Sequence, residues 1–453
     1  MAVKSEWMVI ALAAKTAQAG NIAHSRVHRV DMEVTAHAPF WCDDRYKVVT
    51  MLRSFDEISP YLAGFQSFVV RWAAMKSLDL VFFDAGAGHR GAATALKSVI
   101  EKQRRPWNVR LVNLQEILDP IDILRRFTGL RVQDLYNILL SNGWTLGMTQ
   151  TLKLLHASVK AFHLKQVRLL EKHWTVNPAE MVVSLVPHFN RALCEAVRQA
   201  LPGAPFATVI TDFADYPPHF WIERQEQYLI CGTDLAVRQA RRMGHPPERV
   251  FQVSGMILNP RFYDLPPLDR AAERLKHGLD PELPVGLVLF GGAGSPAMAK
   301  IARRLDRSAM PLQLILICGR NETLTGMIRS KVRHKKAVVL GFTAEVPYYM
   351  RLADFFIGKP GPGSLSEAIE MSLPVIIERN RATMPQEKYN AQWVREKQVG
   401  LVVSDFKHIS RAVEELLSPE NDSRFRANAQ ALRNRAVFEI PEILERIMKA
   451  ESS

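Results

Sequence analysis

The stretch Phe355-Phe356-Ile357-Gly358-Lys359-Pro360-Gly361-Pro362-Gly363-Ser364-Leu365-Ser366-Glu367-Ala368-Ile369-Glu370 decides how this chain is read. It opens as the end of a buried strand, passes through a Gly/Pro-rich turn and closes as a helix start. Gly361 and Gly363 let the backbone turn tightly and lie against a ligand. The N–H groups that follow project from the helix N-terminus, where the dipole is positive, an arrangement that binds phosphate without a cationic side chain. Lys359 adds a charge nearby. Ser364 and Glu367 also have the spacing of a capping box, in which serine accepts from the third helical N–H and glutamate reaches back. Taken alone, the stretch reads as ordinary capping sooner than as a ligand site.

The residues beyond it shift that balance. A strand-like run, 373–378, leads to Met384-Pro385-Gln386-Glu387-Lys388-Tyr389-Asn390-Ala391. Gln386 and Glu387 would face the crevice beyond the carboxyl ends of the strands, where open α/β sheets take their ligands. A diphosphate at the helix end and a polyhydroxylated group beside an amide–carboxylate pair describe a nucleotide sugar.

The same plan recurs upstream. Val285-Gly286-Leu287-Val288-Leu289-Phe290 runs into Gly291-Gly292-Ala293-Gly294-Ser295-Pro296 and a helix, with Pro296 near its first turn. Buried strands follow at 313–317, before Cys318-Gly319-Arg320-Asn321-Glu322, and at 337–342. The first half opens in the same way. Leu78-Asp79-Leu80-Val81-Phe82-Phe83 precedes Asp84-Ala85-Gly86-Ala87-Gly88-His89-Arg90-Gly91 and a helical stretch to Lys102. Strands at 109–114, 180–186, 206–213, 228–234 and 249–255 alternate with helices, the signature of a parallel α/β sheet. Two successive halves, each starting strand, glycine loop, helix, predict two Rossmann-like domains facing one cleft. The expected divisions are an N-terminal extension over 1–74, a first domain over 75–262, a Pro-rich linker over 263–284, a second domain over 285–430 and a terminal helix over 431–453.

Composition sets the bounds. The 453 residues are 47% hydrophobic and 23% charged, which is globular and long enough for two cores. The net charge of +13, from 59 Lys+Arg against 46 Asp+Glu, suits anionic partners such as phosphates, anionic lipid or nucleic acid. No aromatic–basic motif supports nucleic acid. Cys42, Cys194, Cys231 and Cys318 are scattered, with no CxxC, and read as reduced thiols. No apolar run is long enough to span a bilayer. Before Met75 the sequence shows little period; its three histidines His24, His28 and His37 match no metal-ligand spacing, and the segment is expected to be poorly ordered or a misassigned start. The segment 119–173 has helical apolar spacing interleaved with basic residues, among them Lys160, Lys165, Arg168 and Lys172. It reads either as helices packed on the domain with a solvated basic face or as a patch for an anionic membrane surface.

Residues 75–449 resemble the inverting glycosyltransferases that include monogalactosyldiacylglycerol synthase, the processive diacylglycerol glucosyltransferases and the N-acetylglucosaminyltransferase of the lipid-linked peptidoglycan precursor. The resemblance rests on Asp84 to Arg90, Thr211-Asp212-Phe213, Val253-Ser254-Gly255 with Asn259-Pro260, Cys318 to Glu322, Lys359 to Ala368, and Gln386-Glu387 with Asn390, in that order. It implies the GT-B fold, a UDP-sugar donor, no cofactor or metal, a lipid acceptor such as diacylglycerol, and a cytoplasmic enzyme peripheral on the cytoplasmic membrane. It also implies roles. The Gly363-Ser364 backbone would hold the diphosphate, with the Gly292–Ser295 loop, Lys359 and Arg320 near it, and Gly88 in the first loop. Glu367 would bond the ribose, the backbone at Phe342 would read uracil, and Gln386 and Glu387 would bond the sugar. His89 would be the catalytic base or its neighbour, with Asp212 or Asp215 in reserve as base or as the group orienting it. The chain departs from the family pattern at Ser364-Leu365 and at Pro385, which replaces a glycine and removes a backbone donor. A UDP-sugar 2-epimerase, a transferase with a non-lipid acceptor and a non-catalytic binding module are the competing readings.

Overall fold

The structure, a computed structural model, describes residues 75–84, 88–122, 125, 131 and 157–451. The expected extension over 1–74 and most of the basic segment over 119–173 lie outside the described residues.

The first sheet contains β1 (Lys76–Phe82), β2 (Trp107–Asn113), β3 (Met181–Ser184), β4 (Phe206–Ile210), β5 (Tyr228–Cys231) and β6 (Val250–Gln252), in the order β2-β1-β3-β4-β5-β6. The second contains β7 (Val285–Leu289), β8 (Gln313–Ile317), β9 (Ala337–Leu340), β10 (Phe355–Gly358), β11 (Val375–Glu378) and β12 (Gly400–Val403), in the order β12-β11-β10-β7-β8-β9. Every pairing is parallel. This follows from the strands' composition: β3, β4, β7, β8 and β10 are buried at every position, as strands covered by helices on both faces must be. Strand order reverses between β1 and β3 in the first sheet and between β7 and β10 in the second. The glycine loops after β1, β7 and β10 therefore stand at the two switch points, where α/β sheets open a crevice.

Seven helices matter for the site: α1 (Gly88–Lys102), α2 (His163–Val176), α3 (Arg270–Lys276), α4 (Pro296–Asp306), α5 (Pro362–Glu370), α6 (Lys388–Lys397) and α7 (Ala436–Ala450). The stretch expected to be a linker carries α3, which is fixed to the second half. Its buried Arg274 bonds the Leu352 carbonyl at 2.8 Å and Asp354 Oδ2 at 2.6 Å. Asp354 also accepts from the Val285 N–H at 2.7 Å, so one carboxylate ties the amino ends of two strands to the connecting segment.

The halves interlock through two exchanged pieces. Helix α7 leaves the second half and packs on the first, where Ile440, Leu444 and Ile447 join Leu78, Leu80 and Ile100 in one apolar cluster. In return, Phe213, Met256 and Phe262 from the first half lie in the second half's core with Leu287, Ile315 and Phe356. Asn434, at the crossing, donates to the Met256 carbonyl at 2.8 Å.

Candidate active site

One wall of the cleft comes from the first sheet. His89 lies in the first turn of α1, and its Nδ1 is 3.2 Å from Thr211 Oγ1, just beyond β4. Burial lowers its pKa to about 4, although a hydrogen bond to the Leu185 backbone works the other way, so the imidazole is neutral at physiological pH. Beside it, at 5.9 Å between ring centroids, is the buried Trp221. Trp221 Nε1 donates to Asp212 Oδ2 at 2.9 Å. Burial pushes the Asp212 carboxyl up to about 7; the Trp221 hydrogen bond and Lys359 oppose this, and Glu387 and Asp215 add to it.

Asp215 has a different task. It accepts from the backbone N–H of His219 at 3.1 Å and of Trp221 at 2.6 Å, and its own N–H is held by Gln239 Oε1 at 2.8 Å. It organises the loop that carries Trp221. No hydrogen bond joins Asp212 or Asp215 to the imidazole among the described residues; Thr211 occupies that position instead.

The other wall is the second sheet's carboxyl edge. The capping box does not form. Helix α5 starts at Pro362 with Gly361 as its N-cap and no side-chain cap, which places Ser364 inside the first turn. Its first intrahelical bond is Leu365 N–H to the Gly361 carbonyl at 3.2 Å, so the amides of Gly363 and Ser364 have no intrahelical acceptor. Glu367, which would have reached back, instead has its carboxyl raised to about 7 by burial. Lys359 Nζ lies 3.0 Å from Glu387 Oε1. Gln386 is buried with Oε1 unpartnered. Asn390 donates from Nδ2 to the Pro360 carbonyl at 2.6 Å and fixes α6 to the α5 loop.

The β7 and β8 loops are pressed together beside this helix end. Gly319 has φ +63°, and a Cβ there would stand 2.3 Å from the Gly292 carbonyl oxygen, so only glycine fits. The Arg320 N–H donates to the same oxygen at 2.9 Å. Ser295 caps α4, accepting from the Ala297 N–H at 3.3 Å. The Arg320 guanidinium stacks 4.7 Å from the centroid of Phe342, whose ring is 61% exposed at the end of β9. The walls are in register because Phe213, next to Asp212, packs edge-on at 5.0 Å against Trp393 of α6.

The structure thus brings His89 and Asp212 to one wall and Arg320, Phe342, Lys359, Gly363, Ser364, Glu367, Gln386 and Glu387 to the other. Trp221 was not expected; it follows Asp212 by nine residues in an irregular loop, with no period to single it out.

Residues 287–447 match the family described as the glycosyltransferase family 28 C-terminal domain. Among solved structures, MurG of Acinetobacter baumannii superposes with a TM-score of 0.54 at 12% identity, over 82% of this chain and 99% of that one. The UDP-GlcNAc 2-epimerase of Neisseria meningitidis superposes with a TM-score of 0.50 at 14% identity, over 82% of this chain and all of the other. These likenesses show the fold. The chain is a glycosyltransferase of GT-B architecture, with two Rossmann-like domains around a cleft. Within that class it is similar to the monogalactosyldiacylglycerol synthases: 26% identical to the chloroplastic enzyme of Spinacia oleracea over 83% of this chain and 73% of that one, and 25% identical to enzyme 1 of Arabidopsis thaliana over 83% and 72%.

Proposed function

We propose that the chain transfers a hexose from a UDP-sugar to a hydroxyl of a lipid acceptor such as diacylglycerol, with inversion at the anomeric carbon. The observation that carries this reading is the pair of free amides at Gly363 and Ser364, facing a wall that holds a neutral imidazole. The strand order supports one layout of the donor. The diphosphate sits at the α5 end after β10, with Lys359 and the Gly292 loop beside it. The uridine lies toward β8 and β9, where Arg320 and Phe342 form a flat platform, with Glu367 at the ribose. The sugar lies toward β11, at Gln386 and Glu387.

His89 then takes the acceptor's hydroxyl proton as that oxygen attacks the anomeric carbon. The bond from that carbon to the β-phosphate oxygen breaks, and its electron pair leaves on UDP, stabilised by the helix end and Lys359. The lipid acceptor is supported by the relatives' names and by α2, which exposes Leu164, Lys165, Arg168 and Lys172 together as an anionic membrane surface would require. Among the described residues no helix is long and apolar enough to cross a membrane.

The test is UDP release from UDP-glucose, UDP-galactose and UDP-N-acetylglucosamine, with and without vesicles containing diacylglycerol. The expected result is release that requires the vesicles. Conversion of the donor with no acceptor would instead identify an epimerase, and release onto a soluble acceptor alone would remove the lipid.

A further inference from the structure

The pair that would bond the sugar, Gln386 and Glu387, sits on a stretch that belongs to the second half by sequence and is fastened to the first half at both ends. At the upstream end Met384, 4% exposed, enters the first half's apolar cluster with Ile210, Phe220, Trp221 and Ile222. Among the described residues it is that cluster's one buried member from the second half. At the downstream end Trp393 of α6 packs edge-on against Phe213 at 5.0 Å. Both anchors land beside Asp212: Phe213 follows it in sequence, and the Trp221 indole donates to it at 2.9 Å. The Trp221 ring also stands 5.9 Å from the His89 ring, between centroids. A third tie, from Asn390 to the Pro360 carbonyl at 2.6 Å, keeps the same stretch on the α5 loop. Met384 touches the sugar pair directly as well. Gln386 Nε2 lies 3.9 Å from Met384 Sδ. A thioether sulfur accepts weakly and cannot donate, so the amide turns its NH₂ toward Met384. Gln386 Oε1 is left buried and without a partner among the described residues, set to receive a hydroxyl.

Resting on the donor reading above, we propose that Met384 is a positioning residue: seated in the first half, it holds the sugar-reading stretch at a fixed distance from the wall that carries His89. The diphosphate is held at the α5 end, but its bond to the hexose can rotate, so a second hold is needed to place the anomeric carbon. Gln386 and Glu387 supply that hold, and Met384 sets where they stand. An unbranched, polarizable side chain suits a seat of irregular shape between aromatic rings and branched aliphatic chains. Met384 meets no reacting atom and acts through Gln386, two residues on, and through the Trp221 cluster beside His89. A displacement of about 1 Å at the reacting centre, caused by a change away from it, costs up to about 10²-fold in rate. The sugar-binding loop of one half is thus aligned by the core of the other.

Two variants test this. Met384→Ala empties the seat, and Met384→Leu nearly conserves its volume. The donor is whichever of UDP-glucose, UDP-galactose and UDP-N-acetylglucosamine the native protein turns over, with the acceptor that supports that turnover; UDP is the ligand that lacks the sugar. Rates are measured well below each variant's melting temperature, where lost packing alone leaves the turnover of each folded molecule as it was. Met384→Ala should lower kcat by about 10–100-fold, with the Kd for UDP unchanged. Met384→Leu should return kcat to within about threefold of the native value. Native turnover in Met384→Ala overturns the proposal. So does a loss of UDP affinity in parallel with kcat, since the second half would then be disturbed throughout, and so do equal losses in the two variants, since the seat would then not be what matters. Inactivity of the native protein with all three donors removes the donor reading and the proposal with it.

Discussion

The two halves of the molecule repeat one plan, a six-stranded parallel sheet with glycine loops at its switch point, and equip it differently. In the first half the groups that matter are side chains: a half-buried His89 held neutral and a buried Asp212 whose carboxyl is pushed up to about 7. In the second half they are backbone amides at the end of α5, close-packed glycine loops and an ion pair at the rim. A shared topology thus fixes where a ligand meets each sheet and leaves open which kind of atom meets it. The first wall is suited to moving a proton, and the second to holding a charged leaving group before and after its bond breaks.

The contrast is broken most directly at His89. His89→Ala should lower turnover by about 10²–10⁴-fold, the usual contribution of a general base, while UDP affinity stays as it was. Turnover equal to that of the native protein would move the proton to another group, and a parallel loss of UDP binding would erase the division between the walls. A second, smaller effect is expected on the other side. Glu367→Gln should weaken UDP-sugar binding by about 10–100-fold, the worth of hydrogen bonds to a charged group, with maximal turnover at saturating donor little changed. Binding unaffected by this substitution would take the ribose away from Glu367.

The smallest effect concerns stability in the absence of ligand, and its sign follows from the same burial. The Glu367 carboxyl sits at about 7 in the folded chain, above its ordinary 4.5, so the folded state holds this proton more tightly. Its contribution to stability is complete below about pH 4.5 and is lost as the pH rises through about 7. Native protein should therefore lose stability relative to Glu367→Gln between about pH 5 and about pH 8, by on the order of 1 kcal/mol. The comparison needs the variant because His89 acts in the opposite direction: depressed to about 4, it destabilises the fold as the pH drops from its ordinary 6.5 toward that value. Thermal melts of both proteins across this range decide it; parallel curves would mean that Glu367 is solvated in the empty cleft.

Much of this was legible in the sequence, for a local reason. A strand, a glycine loop and a helix start are contiguous, so the residues after β1, β7 and β10 announce themselves by composition and spacing. Gly363 and Ser364 lie where the turn chemistry placed them. The capping box at Ser364 and Glu367 was a misleading local signal, because Pro362 starts the helix two residues earlier and its fixed φ suits the first helical position. What stayed hidden depends on partners far away in the chain. Asp215 reads as a loop carboxylate, yet it is committed to the backbone of residues four and six further on, in a turn with no sequence period. Trp221 gains its meaning only once that turn brings it against Asp212 and His89. Arg274, in a Pro-rich stretch that looks like a linker, is buried because Asp354 lies 80 residues away in sequence and 2.6 Å away in space.

Helix α7 sets the order in which this molecule can be made. Its residues Ile440, Leu444 and Ile447 complete the apolar layer over β1 and α1, some 340 positions earlier in the chain (Leu444 against Ile100, for instance, are 344 apart). During synthesis the first half emerges long before the residues that cover it and waits with an open apolar face while the second half is translated. The turns that close the first domain are made only after the whole of the second sheet, so the two halves mature together, and a nascent chain held short of residue 436 still shows the apolar face that those turns cover.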